Sequence, residues 1–153
     1  MVARAQFKVD KLCFEITETA VVIHLDDACA FIMEMRKLGV RMALDGFGAG
    51  ASSFGYLKSL PVNYLKIDGQ FIRDLITDPL DLAAVRCFIE VAKVVGIKTV
   101  AEFVETEEVL TTLRKMGVNF AQGYLLHRPE PLSHLIEAAT HVPVHTLCAS
   151  AAG

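Results

Sequence analysis

The sequence predicts an α/β fold in which a parallel sheet is built from about five successive βα units. Short runs rich in Val, Ile and Leu alternate with segments in which apolar residues recur at helical spacing. Glycines stand at three of the expected helix-to-strand junctions, and hydrophobic residues make up 53% of the 153 residues, as expected for strands buried on both faces. Five units alone fit either a doubly wound sheet or part of a closed barrel.

The expected strands and helices alternate in a regular order. Strands are predicted at residues 12–17, 40–44, 62–67, 97–101 and 118–122. Apolar periodicity predicts helices at residues 28–38, 82–95, 109–116 and 132–139, with a short one ending at residue 60. Gly39, Gly96 and Gly117 are expected to end helices in the left-handed conformation, directly before a strand.

Composition and charge argue against several classes of protein. The net charge is −3 and Lys and Arg form no run, so polymeric nucleic acid is not an expected partner. Charged residues, Gly or Pro interrupt each apolar run before about 18 residues, so no membrane insertion is expected. The amino-terminal segment lacks the apolar core of a signal peptide, which favours a cytoplasmic protein. The four cysteines are far apart and are expected to be reduced, buried thiols.

Each predicted strand ends in at least one polar residue, and most of these residues are acidic. Because the carboxyl ends of parallel strands meet at one edge of a sheet, we expect these side chains to converge there. They are Glu15, Glu18, Asp45, Lys66, Asp68, Glu102, Glu105 and Gln122. Converging carboxylates need a counter-charge, and oxygen ligands without His or thiolate favour Mg²⁺ or Mn²⁺. Metal-assisted attack on a phosphoryl group is the reaction class that this pattern indicates.

Any one of these residues taken alone could equally be a helix cap or a solvated loop charge. Lys66 could be an ordinary surface lysine, and Glu18 and Asp68 could cap the segments that follow them. Five successive strands that all end in polar residues are much harder to explain in this way. We therefore interpret the pattern as one acidic site.

At these positions the sequence resembles the EAL domains, which hydrolyse the bacterial second messenger cyclic diguanylate (cyclic di-GMP) to the linear dinucleotide. The resemblance covers about residues 8–140 and rests on six signatures in the family's order. These are Glu15-Ile16-Thr17-Glu18, Asp45-Gly46-Phe47-Gly48-Ala49-Gly50-Ala51-Ser52-Ser53, Tyr56-Leu57-Lys58, Leu65-Lys66-Ile67-Asp68, Ala101-Glu102-Phe103-Val104-Glu105-Thr106 and Ala121-Gln122-Gly123-Tyr124.

The resemblance implies a site for two metal ions, Mg²⁺ or Mn²⁺. Glu15 matches a ligand of the first metal, Asp45 the carboxylate that bridges both, and Glu102 a ligand of the second. Asp68 is expected to lie behind these ligands and to support them.

The resemblance also implies catalytic residues and a substrate loop. Lys66 matches the lysine near the nucleophilic water, Glu105 a carboxylate that supports the loop after strand two, and Gln122 a glutamine bonded to metal-bound water. That loop, residues 46–55, links substrate binding to dimerisation in the family. Its candidate contact residues here are Gly48, Gly50, Ser52 and Ser53.

The sequence departs from the family pattern at two positions in the site. Gly46 stands where the family has a second aspartate, so a ligand of the second metal is missing. Phe103 replaces the glycine that usually follows the Ala-Glu pair. The family's Glu-Ala-Leu motif, an arginine-bearing segment and an asparagine ligand lie on its first three strands, and this chain begins just before the fourth.

The resemblance therefore predicts an incomplete TIM-like (β/α) barrel of about five units out of eight. Residues 1–140 are expected to form this domain, followed by a tail at residues 141–153. Its open edges, or the loop at residues 46–55, are expected to cause self-association.

Two functions remain as hypotheses. The first is a cyclic di-GMP phosphodiesterase domain that is truncated and catalytically impaired. The second is a non-catalytic module that binds cyclic di-GMP or a protein partner. An unrelated barrel enzyme with an acidic metal site is a remote third, because the signatures occur in the family's order.

Overall fold

The computed structural model describes residues 9–50, 54–131 and 133. One parallel sheet contains strands β1 to β5 in sequential order. The strands are β1 (Cys13–Thr17), β2 (Arg41–Phe47), β3 (Tyr64–Ile67), β4 (Lys98–Ala101) and β5 (Phe120–Ala121). The helices are α1 (Glu18–Ile23), α2 (Leu25–Lys37), α3 (Gln70–Arg73), α4 (Pro79–Val95) and α5 (Glu107–Met116), with 3₁₀ turns at Val9–Lys11 and Phe54–Lys58.

This topology confirms the predicted series of five parallel βα units and the incomplete barrel. Within the described residues β1 and β5 are the outer strands and do not pair with each other. The predicted helix at residues 132–139 and the tail at residues 141–153 lie outside the described residues, apart from Ser133.

The core lies between one face of the sheet and the helices. Met42, Leu44, Leu65 and Ile67 on the central strands are completely buried there, against helix residues such as Ile32. Successive side chains of a strand point to opposite faces. The alternate residues therefore form a second face, which we call the site face.

The three glycine junctions have the predicted conformation. Gly39, Gly96 and Gly117 have φ values of 85°, 76° and 86°, which other residues adopt only with strain. At all three, the residue after the glycine donates its backbone N–H to a carbonyl in the last turns of the helix. The strand thus begins directly after the helix ends.

The structure differs from the predicted elements in four places, one of which is the short helix α3, which was not predicted. β2 continues through Phe47, so Asp45 lies inside the strand, and β5 has only two residues. Helix α1 was not predicted, because six residues are too few to show a helical period. It begins at Glu18, and the Thr17 hydroxyl caps it by accepting a hydrogen bond from the Ala20 N–H at 3.4 Å.

Two further observations concern the cysteines and the membrane. Cys13 and Cys87 are exposed and Cys29 is partly buried, so the expectation of buried thiols was wrong for the first two. The apolar residues next to Cys13 and Cys87 in sequence lie on the other face of the strand or helix, so an apolar sequence context did not mean that these thiols are buried. Among the described residues, no helix has the length and apolar character needed to cross a membrane.

Candidate functional site

Lys66, on the site face of β3, lies at the centre of the predicted acidic site. Its ammonium Nζ is 2.8 Å from Glu15 Oε2, 3.0 Å from Asp45 Oδ1 and 2.7 Å from Glu102 Oε1. The lysine side chain is only 6% exposed, whereas that of Glu15 is 47% exposed. Four of the predicted site residues, carried by four consecutive strands or strand ends, are therefore brought together. Because each carboxylate has an oxygen in contact with the same ammonium, these three oxygens lie no more than the length of two hydrogen bonds apart.

The electrostatics of this cluster favour a charged lysine. Burial lowers the pKa of the Lys66 ammonium, but its contacts with Glu102, Glu15 and Asp45 outweigh burial and raise the pKa above its ordinary value. Burial, together with the nearby Asp45 and Glu15 carboxylates, raises the pKa of the Glu102 carboxyl despite the opposing effect of Lys66. The cluster holds three carboxylates against one ammonium, an excess of two negative charges when all are ionised.

A β-bulge places Asp45 in this cluster. Leu44 pairs with Leu65 and Phe47 with Ile67, so β2 has one more residue than β3 over this stretch. Gly46 makes the bulge with a φ of 72°, and a side chain there would begin 3.7 Å from Asp68 Oδ2. Gly46, one of the two positions at which the sequence departs from the family pattern, therefore has a left-handed backbone conformation, which favours glycine.

Gln122 lies beside the cluster, immediately after β5. With Glu15 and Lys66 it lines a cavity of about 300 Å³ on the site face, whose other walls include Arg41 and Tyr64. Its backbone N–H donates to Ala101 O at 2.8 Å, and its carbonyl accepts from the Val104 N–H at 3.0 Å. Gln122 therefore also holds the segment that carries Glu102.

Glu105 is exposed and does not touch Lys66. It lines a separate, smaller cavity of about 180 Å³ together with Glu102, Gln122 and Tyr124. Gly123 in the same wall approaches Val104 so closely that a Cβ atom would lie 2.2 Å from its carbonyl oxygen. This close approach explains the glycine of the Gln122-Gly123-Tyr124 signature.

Glu18, the first residue of α1, contacts the loop after β2 and the 3₁₀ turn that follows it. The sequence reasoning missed this role. The Glu18 carboxylate is 5% exposed; it accepts hydrogen bonds from the Gly48 N–H at 3.2 Å and the Tyr56 hydroxyl at 2.7 Å. Burial and this carboxylate raise the pKa of Tyr56. The position of Glu18 three residues after Glu15 in one signature was the signal, but it was interpreted as a possible cap.

The remaining predicted residues that the structure describes belong to this loop or to the turn after β3. Gly48 has a φ of 95°, and a Cβ atom there would lie 2.7 Å from the Phe88 ring, so it permits close packing. Asp68 accepts a hydrogen bond from the Gln70 N–H at 2.8 Å and thus supports the turn into α3. Gly50 is exposed, and Ser52 and Ser53 lie outside the described residues.

The donor chemistry of the cluster fits a divalent cation. Its carboxylate oxygens are hard ligands, and Asp45 Oδ1 is buried without a hydrogen bond of good geometry, although it makes the ion pair with Lys66. The arrangement is nevertheless centred on the ammonium. In the described part of the chain, no three His, Cys, Asp or Glu side chains are placed to hold an ion jointly.

Comparisons with known proteins agree with this geometry. The family model for the EAL domain matches residues 1–129. The cyclic di-GMP phosphodiesterase PdeB of Shewanella oneidensis is 46% identical over 126 residues, which cover 82% of this chain and 15% of that protein. The chain thus spans less than a fifth of the length of this curated relative.

Solved structures show the same fold. The PaMucR phosphodiesterase in complex with c-di-GMP has a TM-score of 0.81 at 36% identity, over 88% of this chain and 54% of that chain. Klebsiella pneumoniae BlrP1 with calcium and cy-diGMP has a TM-score of 0.74 at 32% identity, over 80% and 31% of the two chains. Its manganese complex is also similar, with a TM-score of 0.71 at 31% identity, over 78% and 30%. The matched family model, the close relative and the five parallel βα units together show that this chain belongs to the EAL domain family.

Proposed function

We propose that this chain is a cyclic di-GMP phosphodiesterase module that binds cyclic di-GMP at the carboxyl edge of its sheet but turns it over at a negligible rate. The observation that carries this proposal is the buried Lys66 ammonium in contact with Glu15, Asp45 and Glu102. Relatives named as cyclic di-GMP phosphodiesterases and structures solved with this ligand support the choice of ligand.

The charge of the cluster indicates what a phosphodiester needs in order to bind there. When all groups are ionised, the two negative charges that remain after the lysine is counted repel a phosphate anion. A divalent cation would reverse this balance. The calcium and manganese complexes of BlrP1 support a metal requirement, and Mg²⁺ or Mn²⁺ suits the oxygen ligands here.

Glu15, Asp45 and Glu102 are the residues that would hold such a cation, although in the structure they contact the Lys66 ammonium and are not yet arranged as a joint ion site. When bound, it would polarise a phosphoryl oxygen and so favour nucleophilic attack on phosphorus. Lys66 orients the three carboxylates and, because its pKa is raised, keeps its positive charge near neutral pH to attract the phosphodiester. Gln122 fixes the Glu102 segment through its backbone and lines the same cavity as Lys66, so its amide is placed to orient the ligand.

One feature of the site accounts for negligible turnover. Gly46 has no side chain at the position where the family places a second aspartate, so a ligand of the second metal is missing. We also propose that the module acts in the bacterial cytoplasm, where a nucleotide second messenger is found.

Calorimetric titration of the full chain with cyclic di-GMP tests the proposed binding. In the presence of Mn²⁺ or Ca²⁺ we expect saturable binding that weakens at least about tenfold in Asp45→Asn, because that variant removes one charge from the cluster. Glu108→Gln, an exposed change on α5, should leave binding unchanged. Equal affinity for cyclic di-GMP in Asp45→Asn and Glu108→Gln, or binding that does not depend on the metal, would refute the assignment of binding to the acidic cluster. Absence of binding altogether would favour the protein-interaction hypothesis.

A further inference from the structure

A third cavity, of about 650 Å³, lies where β2, β3 and β4 begin, at the opposite edge of the sheet from the acidic site. Its polar wall contains four cationic side chains and, within the described part of the chain, no carboxylate. The cations are Arg36, Arg41, Lys58 and Lys98. We propose that this cavity, which we call the basic groove, binds a small molecule that carries an oligophosphate group.

None of the four cations forms an ion pair with a carboxylate of the described residues. Lys37, outside the groove, does have such a partner and pairs with Glu34 at 2.6 Å. Lys98 lies over the Phe120 ring, 5.8 Å from its centroid, but this contact brings no negative counter-charge. In a protein of net charge −3, like charges gathered without a counter-charge repel one another. An anion in the groove would remove this repulsion.

The two arginines are already oriented by one hydrogen bond each. Arg36 donates from Nη1 to Pro61 O at 2.8 Å, and Arg41 donates from Nη1 to the Tyr64 hydroxyl at 2.7 Å. A guanidinium has five N–H donors in a planar fork, so the others remain for a ligand. Because the side chains are held in advance, binding costs less conformational entropy.

The arrangement of the cations indicates the class of ligand. They come from four separate segments: the end of α2, the start of β2, the 3₁₀ turn at Phe54–Lys58 and the start of β4. Cations that come from four separate segments suit a chain of two or three phosphates better than a single phosphate group. The groove has about twice the volume of the cavity beside Lys66, which leaves room for a nucleoside attached to the phosphates.

Titration of the full chain with pyrophosphate, ATP and adenosine tests the proposal, with EDTA present to keep metal ions from the acidic site. We expect saturable binding of pyrophosphate and ATP and none of adenosine. Tighter binding of ATP than of pyrophosphate would show that the groove also contacts a nucleoside, and equal affinities would show that it recognises the phosphates alone. Either result supports the oligophosphate site.

Charge-matched variants locate the binding. In Lys58→Gln/Lys98→Gln, affinity for ATP should fall at least about tenfold, since two charge-assisted contacts are lost. Arg114→Gln/Lys115→Gln removes the same charge from α5 and should change affinity less than about twofold. Circular dichroism confirms folding of each variant, and the single variants Lys58→Gln and Lys98→Gln serve if the double variant unfolds. Equal weakening in the groove and α5 variants, or no saturable binding of either phosphate compound, would overturn the proposal.

Discussion

Phe103 shows most clearly how a single residue adapts the family's site to this chain. Among the described residues other than glycine it alone has a positive φ, 53°, a conformation in which a side chain costs about 1 kcal/mol or more. This explains why glycine is usual here. The Phe103 ring lies over Gly69 and under the Arg73 guanidinium, which is 4.6 Å from the ring centroid. These contacts join the segments that follow β3 and β4, next to Glu102.

A pair of substitutions separates the strain at Phe103 from its contacts. Both Phe103→Ala and Phe103→Gly remove the ring, but only the alanine variant keeps a Cβ atom at positive φ. We expect the glycine variant to be more stable than the alanine variant by about 1 kcal/mol. Urea unfolding of both variants measures the difference. An alanine variant of equal or greater stability would mean that the backbone is not strained.

Gly69 is expected to be coupled to Phe103. A Cβ atom at Gly69 would lie 2.1 Å from Phe103 Cδ2, so Gly69→Ala should lower the free energy of unfolding by about 1–3 kcal/mol in the natural sequence. In the Phe103→Gly background the same substitution should cost far less. Urea unfolding of the four proteins gives the coupling energy. A coupling near zero would show that the ring moves aside freely.

Sequence reasoning identified the residues around Lys66 because the ends of parallel strands must meet at one edge. It could not identify the fit between Phe103 and Gly69, which are far apart in sequence and share no pattern. Nor could it show that Gly46 makes a β-bulge, because a bulge depends on register with the neighbouring strand. The predicted supporting role of Glu105 remains untested.

At the scale of elements, α1 is joined to the loop after β2 by Glu18. Its buried carboxylate accepts hydrogen bonds from the Gly48 N–H and the Tyr56 hydroxyl. Because β1 leads directly into α1, the same strand carries Glu15 in the acidic cluster and places Glu18 against the loop. The position of the loop is therefore linked to the position of the cluster.

Tyr56→Phe tests this link. The variant leaves one oxygen of the buried Glu18 carboxylate without its partner, so we expect a loss of about 1–3 kcal/mol in the free energy of unfolding. Tyr124→Phe is the matched control, since Tyr124 is 56% exposed, and it should change stability by less than about 0.5 kcal/mol. Equal stability of the two variants would show that the hydrogen bond contributes little.

Elements with a strong periodic pattern were predicted well, and short elements were not. The stripes in α4 and α5 and the glycines that end them determine both helices. Helix α1 has no such pattern, and β5 is reduced to two residues because only Phe120 and Ala121 pair with β4. Strand pairing, which is a tertiary property, sets these bounds.

At the scale of the whole molecule, the sheet of the described residues has two outer strands, β1 and β5. Phe14 on β1 and Phe120 on β5 are 37% and 46% exposed, and outer strands offer unpaired backbone groups to another chain. We expect the purified chain to self-associate through these edges or through the loop at residues 46–55. Sedimentation velocity over a wide concentration range should show species larger than a monomer, and a single compact monomer throughout would refute this.

The parallel direction of the strands was predictable from the repeated βα pattern alone, because such units form parallel sheets. Whether such a sheet belongs to a barrel was not, since five units fit either architecture. The six signatures of the resemblance decided between them, and the structural neighbours agree.

The central claim is that the acidic cluster binds cyclic di-GMP with negligible turnover, and formation of the linear dinucleotide tests it most directly. The full chain is incubated with cyclic di-GMP and Mg²⁺ or Mn²⁺ in millimolar excess, and products are followed by chromatography beside an Asp45→Asn control. We expect no product above the control. Gly46→Asp alone should not restore activity, because the new side chain stands at a φ of 72° near Asp68. Metal-dependent product from the natural chain that disappears in Asp45→Asn would contradict the claim and show a working phosphodiesterase.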